Sequence, residues 1–338
     1  MRGKGGFFER LGDRVLDPAL SRPWRWVLWL LLALLLLNVA LGWYWSGAPD
    51  QFEITEHPSE IRGATTTATL IQVAETLLEK PGGYLRNDML PHSFWLDNMP
   101  SWEYGVLVQI RDLSRSLRRD MSRSQSQSQE DPALAIAEPQ FNFDADSWIM
   151  PATEGEYRRG IRALKSYQAR LTGAEEGQAR FYTRADNLSD WLNEVQNRVG
   201  SLSLALSKSV GRQQLRVPRA AAEMPGEAGK AVSEDQDQTP WFKIDNVFYE
   251  ARGATWALIH LMKGVEKDFS GVLKEKNALT SYRQVVRELE ATQGTVWSPM
   301  ILNGSGFGVL ANHSLVMANY ISRANAALLN LRQLLQQG

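Results

Sequence analysis

The longest uninterrupted apolar run in the chain extends from Trp26 to Trp45, and Asn38 is its only strongly polar residue. A helix of this length, at about 1.5 Å per residue, spans roughly the 30 Å hydrocarbon core of a bilayer. Inside lipid, a single segment satisfies its own backbone hydrogen bonds only as a helix. Because tryptophan and tyrosine flank the run at both ends, we predict that residues 24–45 form a transmembrane helix in contact with the lipid bilayer.

The charges on the two sides of this run differ in sign. Six Lys and Arg residues precede it, whereas four acidic residues follow it before Arg62, the first basic one. Since the basic flank stays inside the cell, residues 1–23 are predicted to be a cytoplasmic tail. The remaining chain would then lie in the periplasm of a bacterial inner-membrane protein. A cleaved signal peptide ending near Gly42 is the alternative, but the basic region and the apolar run are long for one.

Beyond the apolar run, composition divides the chain into four parts. Residues 46–63 are polar and acidic and predict a linker. Residues 64–210 form a first helical region, in which apolar positions recur at steps of three and four. Residues 211–239 contain prolines, glycines and an acidic patch but few large apolar residues, which is typical of a flexible linker or loop. Residues 240–338 return to a helical pattern and are expected to pack with the first region.

Local signals indicate where helices begin and where they are interrupted. Ser101 is expected to be an N-cap, and Thr153 with Glu156 has the spacing of a capping box. Residues 122–130 alternate serine and glutamine, which predicts a mobile tip. Residues 131–150 contain prolines and aromatics and are expected to form an irregular flap.

Two stretches carry the most regular apolar pattern. Positions from Phe181 to Leu206 and from Met317 to Leu335 alternate steps of four and three, the spacing of a coiled-coil seam. Such seams bury themselves within the chain's own bundle or, alternatively, support self-association. No stretch of convincing length alternates with the period of a strand. The predicted fold class is therefore all-α, with one N-terminal transmembrane helix followed by a periplasmic helical bundle with long coiled-coil-like helices.

Composition limits the chemistry that the chain can perform. The net charge is −1, and the part after the apolar run is mildly acidic, which argues against a nucleic-acid partner. The chain has no cysteine and four histidines, so disulfides, cysteine nucleophiles and a histidine-rich metal site are not expected. We predict no metal site and no cofactor, and the sequence assigns no catalytic residue.

The strongest local motif is a glycine-rich loop before the last predicted helix. Alternating glycines permit positive φ angles, and the free amides of a following helix can hold an anion. The loop lacks the lysine and the preceding strand of phosphate-binding loops, so a tight turn capped by Asn312 or Ser314 is the competing interpretation. The candidate ligand or partner residues of this loop are Asn303, Gly304, Ser305, Gly306, Gly308, Asn312 and His313.

A second group of polar residues lies in a strongly apolar helical segment. Asp245, Glu250, Arg252 and His260 are candidates for a polar pocket. Charges in such a setting are expected to pair, for instance Glu250 with Arg252. His260 could take part in acid–base chemistry, although a histidine bonded to a neighbouring backbone group is the ordinary finding. Outside this segment, the carboxylate pair Asp144 and Asp146 is a weaker candidate for sugar hydrolysis, because an Asp-rich loop is ordinarily a turn.

Several segments resemble a known bacterial family, the domain of unknown function 2333. The resemblance rests on residues 241–245, 247–253, 256–260, 303–308 and 311–326. It implies a single-pass inner-membrane protein with an unassigned biochemical role. It implies no catalytic residues.

Two functional hypotheses follow. In the first, the exterior domain binds or scaffolds another cell-envelope component, either a protein partner or further copies of the chain through its helical seams. In the second, the domain is a ligand-binding or hydrolytic module that acts on a cell-wall or lipid component through the loop at residues 303–314.

Overall fold

The computed structural model describes residues 22–58, 61–88, 97–124, 129–210, 239–296, 301, 303 and 312–337. These residues form ten α-helices and no strand. Short 3₁₀ turns at Trp241–Lys243 and Ala291–Gln293 and a π-turn at Leu117–Met121 extend three of the helices. The helices are α1 (Arg22–Trp45), α2 (Ala64–Glu79), α3 (Asn98–Ser116), α4 (Pro132–Phe141), α5 (Thr153–Leu171), α6 (Ala185–Ser209), α7 (Ile244–Asp268), α8 (Ser270–Glu275), α9 (Leu279–Glu290) and α10 (His313–Gln337).

Helix α1 differs from all the others in its surroundings. Its segment Trp26–Trp45 has a mean hydropathy of 2.2, and its most apolar stretch is not buried inside the protein. The helix is long and apolar enough to cross a membrane, as the sequence predicts. A signal sequence would satisfy the same criteria of length and composition.

Helix α7 is the centre of the bundle. An almost unbroken run from Ala251 to Met262 is buried, which matches the wide apolar face of this segment. Helices α2, α3, α6 and α9 all pack against it. Two further sets of contacts lie outside this centre. Helix α4 packs on α5, and α10 packs on both α6 and α9.

Two glycines allow α3 and α7 to cross at very short range. A Cβ atom at Gly253 would lie 2.0 Å from the carbonyl oxygen of Trp102, and one at Gly105 would lie 2.1 Å from that of Glu250. No side chain fits at either position, because the atom in the way belongs to the backbone of the neighbouring helix. The contact between α3 and α7 therefore depends on glycine in both helices.

The two regular seams of the sequence face each other. In α6 the seam residues Leu188, Leu192, Val195, Val199 and Leu206 are buried, and in α10 the seam from Met317 to Leu335 is buried likewise. The two helices run antiparallel, since Ser203 bonds to Ser322 while Gln196 bonds to Arg332. Each seam thus fills the core of its own chain.

Three local predictions are corrected by the structure. Thr153 is not an N-cap, because Ala152 occupies that position and the Thr153 hydroxyl instead donates to the carbonyls of Asp144 and Ser147, each at 2.8 Å. Ser101 lies inside α3, which begins at Asn98. The expected flap contains a true helix, α4, because the carboxylate of Asp131 accepts the backbone N–H groups of Ala133 and Leu134 and so caps it.

Residues 46–57, which we call the strap, lie against the bundle. Phe52 stacks on His260 with ring centroids 4.0 Å apart, and Glu56 forms a 2.6 Å ion pair with Lys267. The backbone N–H of His57 donates to the Thr65 hydroxyl at 3.2 Å. The segment predicted to be a linker therefore joins α1 to the domain along the surface of α7.

Candidate functional site

The glycine-rich loop is described only at its two ends. Asn303 and Asn312 form an isolated antiparallel bridge, which closes the loop. The side-chain amide of Asn303 donates to the Ser209 carbonyl at 3.1 Å, and its oxygen accepts the N–H of Ser314 at 3.2 Å. Gly304, Ser305, Gly306 and Gly308 lie outside the described residues. The described part of the loop fastens the end of α6 to the start of α10.

Asn312 is the N-cap of α10. Its side-chain oxygen accepts the N–H of Leu315 at 2.9 Å, and this bond satisfies one of the free donors of the first turn. The next residue, His313, lies edge-on to Phe248 with ring centroids 6.5 Å apart. Both asparagine side chains therefore bond to backbone groups that shape the helix entry.

His260 is almost fully buried, and both of its ring nitrogens have partners. Nδ1 lies 2.7 Å from the Trp256 carbonyl, while Nε2 accepts the backbone N–H of Phe52 at 3.1 Å. This pattern requires a neutral ring that carries its proton on Nδ1. Burial lowers the pKa of His260 to about 4, which keeps it neutral at physiological pH. The histidine therefore holds the strap to α7.

Arg252 does not pair with Glu250 as the sequence suggests. Its guanidinium donates to the carbonyls of Gln293 at 3.0 Å and Gly294 at 2.9 Å, while the Gln293 amide returns a bond to the Arg252 carbonyl. Residues two apart on a helix point in different directions, which separates Arg252 from Glu250. Burial lowers the pKa of Arg252. The arginine secures the end of α9 against α7.

The two acids of the predicted pocket are partly buried at separate places. Burial raises the pKa of Glu250, and the nearby charge of Arg86 opposes this shift. Burial also raises the pKa of Asp245, to which Asp97 adds by repulsion, while the backbone N–H of Ile301 hydrogen-bonds to the Asp245 carboxylate. The four residues predicted to form a polar pocket therefore lie at different places along α7, and each contacts different neighbours.

The weak candidate pair Asp144 and Asp146 lies in the turn after α4. Asp144 accepts the N–H of Asp146 at 3.1 Å, which is an Asx-type turn bond, and Asp146 pairs with Arg86 at 2.9 Å. Both contacts serve the local structure of the turn.

Two surface cavities in the described part of the chain have no predicted site residue in their lining. The first, about 420 Å³, lies between α9 and α10 and includes the ion pair of Glu288 with Arg323. The second, about 300 Å³, lies between the strap at Pro49 and the last turns of α2. No group of three or more His, Asp or Glu residues in the described ranges could hold a metal ion.

The most unusual polar group of the structure is one that the sequence did not reveal. The ammonium of Lys80 and the carboxylate of Glu103 form a 2.6 Å ion pair in which both side chains are fully buried. Glu103 also accepts the backbone N–H groups of Leu85 and Arg86 at 2.8 Å each, and Lys80 donates to the Gly83 carbonyl. Although burial raises the pKa of Glu103, these donors favour its ionised form. The only sequence signal for this ion pair is the position of Lys80, directly before Pro81, Gly82 and Gly83.

This ion pair fixes the turn after α2, residues 80–87, on the first turns of α3. Besides contacting each other, the two groups bond to backbone atoms of Gly83, Leu85 and Arg86, so the pair positions this turn. The same turn contacts the end of the apolar helix, because a Cβ atom at Gly82 would lie 2.8 Å from the Trp45 ring. The turn is therefore the point where α1 meets the domain.

Comparison with known proteins places this helical chain in a bacterial family. No curated protein and no solved structure matches it. A family model described as an uncharacterized protein conserved in bacteria, DUF2333, matches residues 20–338. The chain belongs to this bacterial family.

Proposed function

We propose that this protein is a single-pass protein of the bacterial inner membrane whose periplasmic helical domain is a fixed platform for another cell-envelope component. In this proposal helix α1 is the anchor, and the excess of basic residues before it favours an N-terminus in the cytoplasm. We propose that this component is another protein.

The observation that carries this proposal is the attachment of the domain to the anchor. The strap is bonded along α7 through Phe52 and Glu56, and Trp45 at the end of α1 packs on Gly82. A free tether would let the domain sample many distances from the membrane, whereas this attachment holds it at one. A fixed height above the bilayer suits a platform that presents a binding surface.

The buried seams restrict where a partner binds. Because the apolar faces of α6 and α10 cover each other, a partner uses an outward surface instead. Trp241 and Phe242, which precede α7, are 79% and 68% exposed. Adjacent exposed aromatic side chains are typical of protein-binding surfaces. We therefore assign the partner contact to this aromatic pair.

Single-cysteine labelling tests the topology, because the chain contains no cysteine of its own. We expect a membrane-impermeant maleimide to label Leu329→Cys in intact spheroplasts and to label Lys4→Cys only after lysis. Labelling of Lys4→Cys alone in intact spheroplasts would reverse the orientation. A mature chain that begins after Gly42 would show that α1 is a removed signal.

Site-specific cross-linking tests the platform. A photo-activated amino acid in place of Phe242 is expected to yield a discrete cross-linked product in intact cells. The same group in place of Leu329, an exposed apolar residue of α10, is the matched control and is expected to yield none. If neither position gives a product, the domain has no partner at the aromatic pair and our assignment of the partner contact is wrong.

A further inference from the structure

Three consecutive apolar side chains form an exposed tip in the turn between α4 and α5. Trp148 is 56% exposed, Ile149 55% and Met150 89%. Single exposed apolar residues are ordinary, but three adjacent ones in a loop indicate a contact with an apolar partner. We call residues 148–150 the apolar tip.

The apolar tip is held in place at both ends. On one side, the Ser147 carbonyl accepts the side-chain amide of Asn87 at 2.8 Å and the N–H of Thr153 at 3.0 Å. On the other side, the Ser147 hydroxyl donates to the carbonyl of Pro151 at 2.9 Å. The three apolar side chains are thus presented by a loop whose base is fixed by hydrogen bonds.

The base of this loop rests on the turn that meets the anchor. The Tyr84 hydroxyl donates to the Ala145 carbonyl at 3.0 Å, and Arg86 pairs with Asp146 at 2.9 Å. Both residues belong to the turn at residues 80–87, in which Gly82 contacts Trp45. The apolar tip and the end of α1 therefore adjoin the same six-residue stretch, 82–87.

We propose that the apolar tip inserts into the interface of the bilayer that α1 spans, so that it forms a second, peripheral membrane contact of the domain. The proposal rests on the membrane anchoring proposed above. Trp45 marks where α1 leaves the membrane, and a tryptophan with two aliphatic neighbours is the composition that interfacial segments favour. We assign lipid as the partner of the apolar tip because the end of α1, where the bilayer surface lies in this proposal, contacts the neighbouring turn at residues 80–87.

With two contacts, the domain is oriented as well as tethered. A domain that is fixed to a single transmembrane helix still tilts and rotates in the membrane together with that helix. A second contact beside this point restricts the tilt and determines which face of the bundle points away from the membrane.

Depth measurements on the full chain test this proposal. Nitroxide labels are placed on Met150→Cys, on Leu329→Cys as an exposed apolar control in α10, and on Leu35→Cys within the anchor. The protein is reconstituted in vesicles of phosphatidylethanolamine and phosphatidylglycerol. Collision of each label with oxygen, which partitions into lipid, is compared with collision with a water-soluble nickel chelate.

We expect the ratio of oxygen to nickel collisions at position 150 to exceed that at position 329 at least fivefold. Equal ratios at 150 and 329, with a lipid-like ratio at 35, would overturn the tip contact while leaving the anchor intact. Low collision with both reagents at 150 would place the tip against protein and would also overturn it. A water-like ratio at 35 would instead reject the anchor itself.

Discussion

At the scale of single residues, His260 links the strap to the core of the bundle. Its neutral ring accepts the N–H of Phe52 at Nε2 and bonds to the Trp256 carbonyl at Nδ1. Protonation would place a second N–H opposite the N–H of Phe52 and would bury a charge. The pKa of His260, lowered by burial to about 4, expresses this cost.

Stability is therefore expected to decrease in mild acid. The unfolded chain takes up the histidine proton near pH 6.5 and the folded chain only near pH 4, so the stabilising effect is complete above pH 6.5 and is lost as the pH falls toward 4. Between pH 7.5 and 5 this histidine should lower the free energy of unfolding by about 2 kcal/mol. Denaturant titrations of wild type and His260→Phe measure it, and equal pH slopes in the two proteins would contradict the assignment.

The buried pair of Lys80 and Glu103 predicts a second effect on stability. Glu103→Gln leaves the Lys80 ammonium buried without a counter-charge, which should lower the free energy of unfolding by about 3 kcal/mol or more. Combining it with Lys80→Met removes the unpaired charge, so the double variant should lose less than the sum of the two single ones. Additive losses in chemical denaturation would show that the two groups do not interact.

Asn312 separates a structural from a functional interpretation of the glycine-rich loop. Because its side chain caps α10, Asn312→Ala should lower the free energy of unfolding by about 1 kcal/mol, and Asn312→Asp should retain most of the stability. Thermal unfolding of the three proteins measures the effect. Unchanged stability of the alanine variant together with loss of function in cells would favour a ligand site.

At the scale of the elements, the glycine crossing of α3 and α7 gives the sharpest prediction. Gly253→Ala places a methyl group 2.0 Å from the Trp102 carbonyl oxygen, so the helices must separate, at a cost of about 3 kcal/mol or more. Gly155→Ala in α5 is the matched control, since nothing lies within 4 Å of its Cβ position. The control should be neutral or stabilising, because alanine favours the helix. Similar denaturation midpoints for both variants would mean that α3 and α7 do not cross here.

Helix positions were largely predictable from sequence because each buried face repeats with the helical period. The patterns near Leu188 and Leu328 identified α6 and α10, and the long apolar run identified α1. Helix α4 escaped prediction because Pro132 and Pro139 both lie within it, although one is at its first turn and the other near its end. The capping box at Thr153 failed because its hydroxyl found carbonyl partners in the preceding turn.

The candidate site was less predictable, because its partners come from distant parts of the chain. The bond between Phe52 and His260 joins residues 208 positions apart, and the bonds of Arg252 reach residues more than 40 positions away. The pairing of Lys80 with Glu103 has no periodic signature either. Local spacing reveals which residues share a helix face, but it does not reveal which loop carbonyl or strap residue will meet them.

At the scale of the whole molecule, the strap couples α1 to the core, which makes Phe52 a decisive position. Phe52→Ala removes the ring stacked on His260 at 4.0 Å and exposes the histidine to water. We expect the free energy of unfolding to fall by about 2 kcal/mol and the pKa of His260 to rise from about 4 toward its ordinary value. The backbone amides of residues 46–57 should also exchange hydrogen faster, since the docked strap becomes a free tether.

Two measurements on the same variant distinguish local from global effects. Mass-spectrometric hydrogen exchange should show faster exchange in the strap while α7 stays protected, and NMR titration of the ring should show the shifted pKa. The exposed residue Glu53, next in the chain, is the matched control, since Glu53→Ala should change neither. If Phe52→Ala leaves exchange at residues 46–57 unchanged, the strap is not held by this contact. The fixed height above the membrane that we propose for the domain would then lose the support of this contact.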